Sequence, residues 1–380
     1  MRNKTWPWLA GTVLIAGACF VLLAGRPTPA SANRDLSSTG FQTLGTVIQL
    51  IKYDYVEEPN PARTMDGAFR GLVDSLDVLS TYLNPESAAK YRQAGAGEFK
   101  ETGAVLLKAY AGFPQVVGLI DGSPAAKVGL KVGDYISVID GRSTLGYSLL
   151  ETRLALKSRG GEPVKVKVLR QAENLEISVG RASLDPVPAA WSRLDGTAGV
   201  LHLPRLTAAA VDAAARILSA QLKETGKPLV LDLRNCHEGD NADAGRLINL
   251  FLRADPAGAF LGRQESRTPL ACPQKPAWDK VPLAVWTNFG TQGPAEIVAA
   301  VLQDQKRAKV VGNPTPGLAA RVETVPLQDG SSLLLTTGVF SLSSGKKVWG
   351  QGVKPEAGVE ARDAGQAVYL KKTLSLFSSL

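Results

Sequence analysis

The chain has 380 residues, 44% of them hydrophobic and 21% charged, with a formal charge of +8. This balance belongs to an ordinary globular protein and excludes a disordered chain or a polytopic membrane protein. The basic excess is thinly spread: short pairs occur at Lys346-Lys347 and Lys371-Lys372, but no basic stripe alternates with aromatics, so nucleic acid is not among the expected partners.

The chain opens with Arg2 and Lys4 ahead of an apolar stretch from Trp6 to Gly25, and Ala30-Ser31-Ala32 fits an export-peptidase site. Residues 1–32 therefore read as a signal peptide, or as a membrane anchor if uncleaved, because residues 6–25 are about long enough to span a bilayer. Either way the rest of the chain is expected outside the cytoplasm, in a periplasm or cell envelope. Cys19 follows Ala-Gly-Ala, a poor lipidation signal. Cys236 and Cys272 lie in different segments and read as two separate half-buried thiols rather than a disulfide. His202 and His237 are the two histidines, and neither has metal-ligand spacing. His202, in GVLHLP, reads as a packing residue of a strand. No metal and no cofactor is expected.

Residues 33–96 read as mostly helical, with a turn in SLDVLSTYLNPESAAKY. Phe41, Leu44, Val47, Ile48 and Ile51 recur at three-to-four spacing, a second helix covers Ala62 to Leu76, and Asn84-Pro85-Glu86 starts a third. Residues 97–183 change character, with short β-rich runs (VVGLI, YISVID, VKVKVLR, LEISV) between Gly, Pro and Asp turns. Residues 184–362 alternate strand and helix: GVLHLP, AAAVDAAARILSAQL, PLVLDLR, ADAGRLINLFL, PLAVW, AEIVAAVLQD, KVVG. This argues for a mixed sheet covered by helices. SSLLLTTGVFSLSSG reads as a returning strand pair, and residues 363–380 as a C-terminal helix and tail. The expected fold is thus α+β and multidomain.

One turn draws attention. NFGTQGPAEIVAAVLQD comes after an apolar strand and runs into a helix, with Gly293 at the cap and Pro294 at the first helical position. Strand-to-helix turns of this kind carry the nucleophile in many hydrolases.

The block GSPAAKVGLKVGDYISVIDG, from Gly122 to Gly141, resembles a PDZ domain. The order of that block, SLDVLSTYLNPE, LVLDLRN, AEIVAAVLQDQKRAKVVGNPTPG and GQGVKPE resembles the carboxyl-terminal processing proteases, exported serine peptidases with a Ser-Lys dyad. The resemblance implies a peptide groove around Gly103, Ala104, Val105 and Leu106, where an extended peptide adds as a strand. Glu101 stands where relatives carry a glycine and is expected to oppose a bound carboxylate. The implied partners are extended peptides or C-terminal tails of exported proteins, with an active relative or a second copy of the chain as further candidates.

The same resemblance places Gly293 at the nucleophile, Leu318 at the general base and Val322 at its assisting glutamine. Pro294 falls where an oxyanion N–H is needed, and Glu238 at a glycine of the oxyanion turn. Glycine cannot attack and leucine cannot accept a proton. Loss of a nucleophile alone costs on the order of a million-fold in rate in an unrelated serine protease. The expectation is therefore a non-enzyme, a pseudopeptidase that holds peptides or a partner. The alternative is an active endopeptidase with a relocated nucleophile, at Thr291 or at Cys236 beside His237. The chain's end, Ser378-Ser379-Leu380, suggests a tail that docks in a PDZ groove, against the simpler reading that Leu376, Phe377 and Leu380 pack on the core.

Overall fold

A computed structural model describes residues 34–96, 99–184, 189–194, 198–222, 227–360 and 365–377. The expected signal segment, residues 1–32, lies outside these. Among the described residues no helix is long and apolar enough to cross a membrane. The chain divides into two compact units, Met1–Met65 and Asp66–Leu380.

The first unit is described by α1 (Arg34–Asp54) and the start of α2 (Pro61–Asp74). Phe41, Val47 and Leu50 of α1 are exposed. Both helices were legible from their spacing. The segment after them was not: Thr81–Leu83 forms a strand, β1, before α3 (Pro85–Ala96). All three β1 residues are buried, because they pair antiparallel with residues 332–334 of the core. The helical reading of residues 33–96 is corrected at this point. A three-residue strand has too little sequence to show a period, and only its distant partner makes it one.

The PDZ-like module contains β2 (Ala104–Leu107), β3 (Gln115–Leu119), α4 (Pro124–Lys127), β4 (Tyr135–Ile139), β5 (Arg142–Ser143), α5 (Leu149–Ala155), β6 (Val164–Arg170) and β7 (Glu173–Val179). The sheet order is β2-β3-β4-β6-β7, so β2 is an edge strand. Val164, Val166 and Val168 alternate with exposed lysines and face a core shared with Leu106, Val116, Ile136 and Leu149. Helix α5 opens with a capping box: Glu151 N–H donates to Ser148 Oγ at 3.1 Å, and Ser148 N–H donates to Glu151 Oε2 at 3.0 Å.

The peptidase-like core holds β8 (Ala190–Leu194), β9 (Ala198–His202), α6 (Ala208–Gln221), β10 (Leu229–Asp232), α7 (Asn241–Asn249), β11 (Ala254–Leu261), β12 (Arg267–Cys272) and β13 (Leu283–Thr287). It continues through α8 (Pro294–Asp304), β14 (Lys309–Gly312), β15 (Ala320–Pro326), β16 (Ser332–Leu342), β17 (Ala357–Gly358) and α9 (Gln366–Phe377). One sheet runs β17-β14-β13-β10-β9-β8, parallel except for β8. A second, antiparallel sheet runs β1-β16-β11-β12, with β15 also on β16.

The expected strand pair in SSLLLTTGVFSLSSG is instead the single strand β16. Its hairpin partner is β15, upstream. Eight consecutive residues of α8, Ala295 to Leu302, are buried. A helix apolar on every side must be covered on every side, and α8 packs on α7, β14 and β16, between the two sheets. Truncating Ile297 there would cost about 2–5 kcal/mol. The other face of the parallel sheet is covered by α9, where Tyr369 packs on Trp286 at 5.2 Å and Trp286 Nε1 donates to Thr373 Oγ1 at 2.8 Å. Leu376 and Phe377 pack against this cluster. Residues 378–380, the expected docking tail, lie outside the described residues. Cys236 and Cys272 are unpaired and fully buried, not half-buried.

Candidate active site

The C-terminal ends of parallel strands gather the chain's polar loops, as is usual in open α/β sheets. Two of these loops, after β10 and after β13, are stitched together. Asn288 Oδ1 accepts from Asn235 N–H at 2.9 Å and from Gly290 N–H at 3.0 Å. Thr291 Oγ1 accepts from Asn288 N–H at 3.0 Å and donates to the Leu233 carbonyl at 2.8 Å. Gln292 N–H donates to the Cys236 carbonyl at 2.9 Å. The turn thus arrives at Gly293 with φ 58° and ψ −119°, a left-handed conformation that favours glycine.

Glu296, one turn into α8, organises the neighbouring loop. It is fully buried and accepts four hydrogen bonds: Gly293 N–H at 2.9 Å, Thr315 Oγ1 at 2.5 Å, Gly317 N–H at 2.6 Å and Leu318 N–H at 2.6 Å. Burial pushes its pKa up, against the pull of those donors. One carboxylate therefore brings Gly293 and Leu318 together across the fold. A Cβ at Gly293 would have the Leu318 carbonyl oxygen as its nearest neighbour, at 3.9 Å, so the turn has room for a side chain.

The Leu318 side chain is buried and apolar. Pro294 offers no N–H, while those of Gly293, Gly317 and Leu318 serve Glu296. Val322 does not join them. It stands exposed on β15 opposite Thr336.

Glu238, at the glycine position of the oxyanion turn, is paired with two bases. Its carboxylate lies 2.7 Å from Lys157 Nζ and 2.9 Å from Arg205 Nη1. Burial opposes its ionised form, but Lys157, His237 and Arg205 hold its pKa well below the usual carboxylate range. Glu101, expected to repel a carboxylate near Gly103, also contacts Arg205 and sits 3.7 Å from Lys157. Neither acid is a bare charge, because each is matched by bases that sequence spacing did not connect to it. Beside them Gly239 approaches Leu206 so closely that a Cβ would come within 2.4 Å of the Leu206 carbonyl oxygen.

Cys236 and His237 do not form a dyad. Burial pushes the Cys236 thiol up to about 12, and burial lowers His237 to about 4. His237 Nδ1 lies 2.9 Å from the Asn235 carbonyl oxygen.

His202 is not a core residue. Its side chain is 40% exposed at the end of β9, with Nδ1 3.4 Å from Asp232. Burial opposes the charge of Asp232, yet the Arg234 fork and His202 bring its pKa down to about 2. Arg234 donates to Asp232 at 2.8 and 2.6 Å and lies over the rings of Trp286 and Tyr369. His202, Arg234, Asn235, Asn288 and Asn313 line a cavity of about 250 Å³ against β3. Among the described residues no cluster of three or more ligating side chains could hold a metal.

The groove edge of the PDZ-like module meets the turn directly. Gly103 has φ 82° and leads into β2. The Leu106 carbonyl accepts from Gln292 Nε2 at 3.2 Å and from Arg153 Nη2 at 3.4 Å, and Gln292 Oε1 accepts from Arg153 Nη2 at 2.7 Å. Gln292 and Arg153 had no signal in the sequence, since they lie far apart along the chain and belong to no spacing pattern.

Comparisons with known proteins accord with this arrangement. Residues 197–359 match Peptidase family S41, and residues 115–170 match a PDZ domain. A carboxy-terminal-processing protease of Bartonella bacilliformis is 30% identical over 367 residues, 95% of this chain and 83% of the relative. The carboxy-terminal processing protease CtpA of Bacillus subtilis is 26% identical, over 94% of this chain and 78% of that protein. A solved photosystem II D1 C-terminal processing protease shares the fold, with a TM-score of 0.71 at 21% identity over 83% of this chain and 86% of that one.

These findings correct the expectation of a non-enzyme. The relatives that align along nearly the whole chain are named proteases, and the family matched is a peptidase family. The physical reason is that residues 293 and 318 exclude one nucleophile and one base, not peptide hydrolysis by other groups on the same scaffold. With an α/β peptidase-like core preceded by a PDZ domain, the chain belongs to Peptidase family S41, among the carboxy-terminal-processing proteases.

Proposed function

We propose that this chain is an extracytoplasmic endopeptidase that takes the C-terminal region of an exported protein, with a nucleophile other than residue 293. The N-terminal pattern of Arg2, Lys4, an apolar run and Ala30-Ser31-Ala32 supports export. The observation that carries the peptide assignment is the contact of Gln292 with the Leu106 carbonyl. It sets the edge strand β2 against the turn that opens α8, so a peptide that extends β2 from Gly103 through Ala104, Val105 and Leu106 must displace Gln292 and Arg153 from the Leu106 carbonyl. A peptide seated there is delivered to the two stitched loops. The hydroxyl and thiol on those loops are Thr291 and Cys236. Both are buried, so cleavage requires the loops to open around a bound substrate.

The test incubates the mature protein with an unfolded protein and with tailed peptides, beside a fluorophosphonate and a thiol probe. The expected result is cleavage that persists through repurification and that falls with Thr291→Ala or Cys236→Ala, whichever carries the chemistry. No cleavage of any tailed substrate, together with no labelling by either probe, overturns the reading.

A further inference from the structure

Glu101, Lys157, Arg205 and Glu238 close a ring of charges between the PDZ domain and the core. Glu101, just ahead of β2, and Lys157, just past α5, belong to the PDZ side. Arg205, past β9, and Glu238, past β10, belong to the core. Lys157 Nζ lies 2.7 Å from Glu238 and 3.7 Å from Glu101. Arg205 lies 2.9 Å from Glu238 and contacts Glu101 directly. Each acid thus touches both bases. The four side chains are 10–25% exposed, so their attraction is less screened than at an open surface.

The backbone beneath the ring is fixed. Glu101 exchanges both backbone hydrogen bonds with Ala182, and Lys157 N–H donates to the Leu154 carbonyl. Leu206, next to Arg205, donates to the Glu238 carbonyl and accepts from Asp240 N–H. The charges therefore sit on ordered segments and cannot shift independently of their modules.

We infer that this ring is a latch that sets the position of the PDZ domain on the core. Each side presents one acid and one base in opposite order, so one register satisfies all four. A slip of either module brings like charges together, which is how charge complementarity fixes orientation. The same docking holds the Leu106 carbonyl on Gln292, so the latch governs where the peptide edge stands relative to the turn. The inference concerns position alone and holds independently of which group cleaves.

Spin labels on Tyr135→Cys and Lys275→Cys, both exposed positions, would report the PDZ–core distance in the full mature chain. The native Cys236 and Cys272 are buried and do not compete. At about 0.05 M salt one narrow distance is expected, broadening towards about 1 M as screening shortens. Lys157→Glu or Glu238→Lys alone should shift the ratio of docked to undocked molecules by about tenfold.

The two together should restore the docked fraction. The PDZ side then carries two acids and the core two bases, so every contact across the boundary attracts, but no slip meets a like charge and the distance stays broader than in the natural chain. Glu101→Arg with Arg205→Glu reverses the other diagonal and gives a second, independent pair should the first fail to fold. Single variants that leave the distribution unchanged overturn the latch. So does a folded double variant that docks no more than the singles.

Discussion

Gln292 joins the turn ahead of α8 to the edge of β2: its Nε2 donates to the Leu106 carbonyl at 3.2 Å while its Oε1 accepts from Arg153 at 2.7 Å. Burial lowers the pKa of Arg153, and its Nε has no hydrogen-bond partner among the described residues. The amide of Gln292 is therefore a principal acceptor for a half-buried cation as well as a plug on the strand edge. Gln292→Ala should cost about 1–3 kcal/mol by removing the shorter of that cation's hydrogen bonds and leaving it only the Leu106 carbonyl. Urea unfolding would read the loss, and Gln292→Glu, which keeps an acceptor, should lose less.

Glu296 accepts four donors in a fully buried site, and an amide in its place would set an N–H₂ against some of them. Glu296→Gln should therefore lose roughly 3 kcal/mol. Hydrogen exchange should accelerate first at Gly317 and Leu318, whose amides it holds. Unchanged exchange there would contradict the organising role given to this carboxylate.

A side chain at Gly293 has room, but its backbone is in the left-handed region, so Gly293→Ser should cost about 1–3 kcal/mol in strain. Gly293→Ser with Leu318→Lys should cleave a tailed fluorogenic peptide no faster than the natural sequence. Pro294 still supplies no N–H to a developing oxyanion, and removing one such donor costs roughly a hundred-fold or more. Adding Pro294→Ala should raise the rate. A double variant that already cleaves efficiently would show that Pro294 is not the limiting feature.

His237 gives stability a pH dependence. Burial lowers its pKa from the ordinary 6.5 to about 4, so the folded chain binds its proton later than the unfolded chain does. Its contribution is complete above pH 6.5 and is lost as pH falls towards 4, amounting to on the order of 3 kcal/mol. Asp232, held at about 2, adds a further loss below its ordinary 3.8. Urea midpoints from pH 7 to pH 4 should fall, and His237→Gln should flatten that slope.

Much of this protein was legible before its structure. Alternating valines in VKVKVLR, the apolar run of AEIVAAVLQ and the Gly-Pro cap at 293–294 each arise from local physics: side-chain period, helix propensity and backbone conformation. Those signals need only a few neighbouring residues, and they placed the β-rich segment, the α/β core and the turn, while the resemblance of residues 122–141 identified the PDZ domain. Tertiary structure decided everything that depends on which distant segments meet. Thr81–Leu83 became a strand because residues 332–334 pair with it, and His202, read as a packing residue, stands 40% exposed beside Asp232. Glu101 and Glu238 read as bare acids in sequence, yet they share Arg205 and Lys157 in space. A charge's partner, unlike a helix's period, carries no fixed spacing along the chain, so only the folded contacts could reveal that two misplaced carboxylates form one neutral ring.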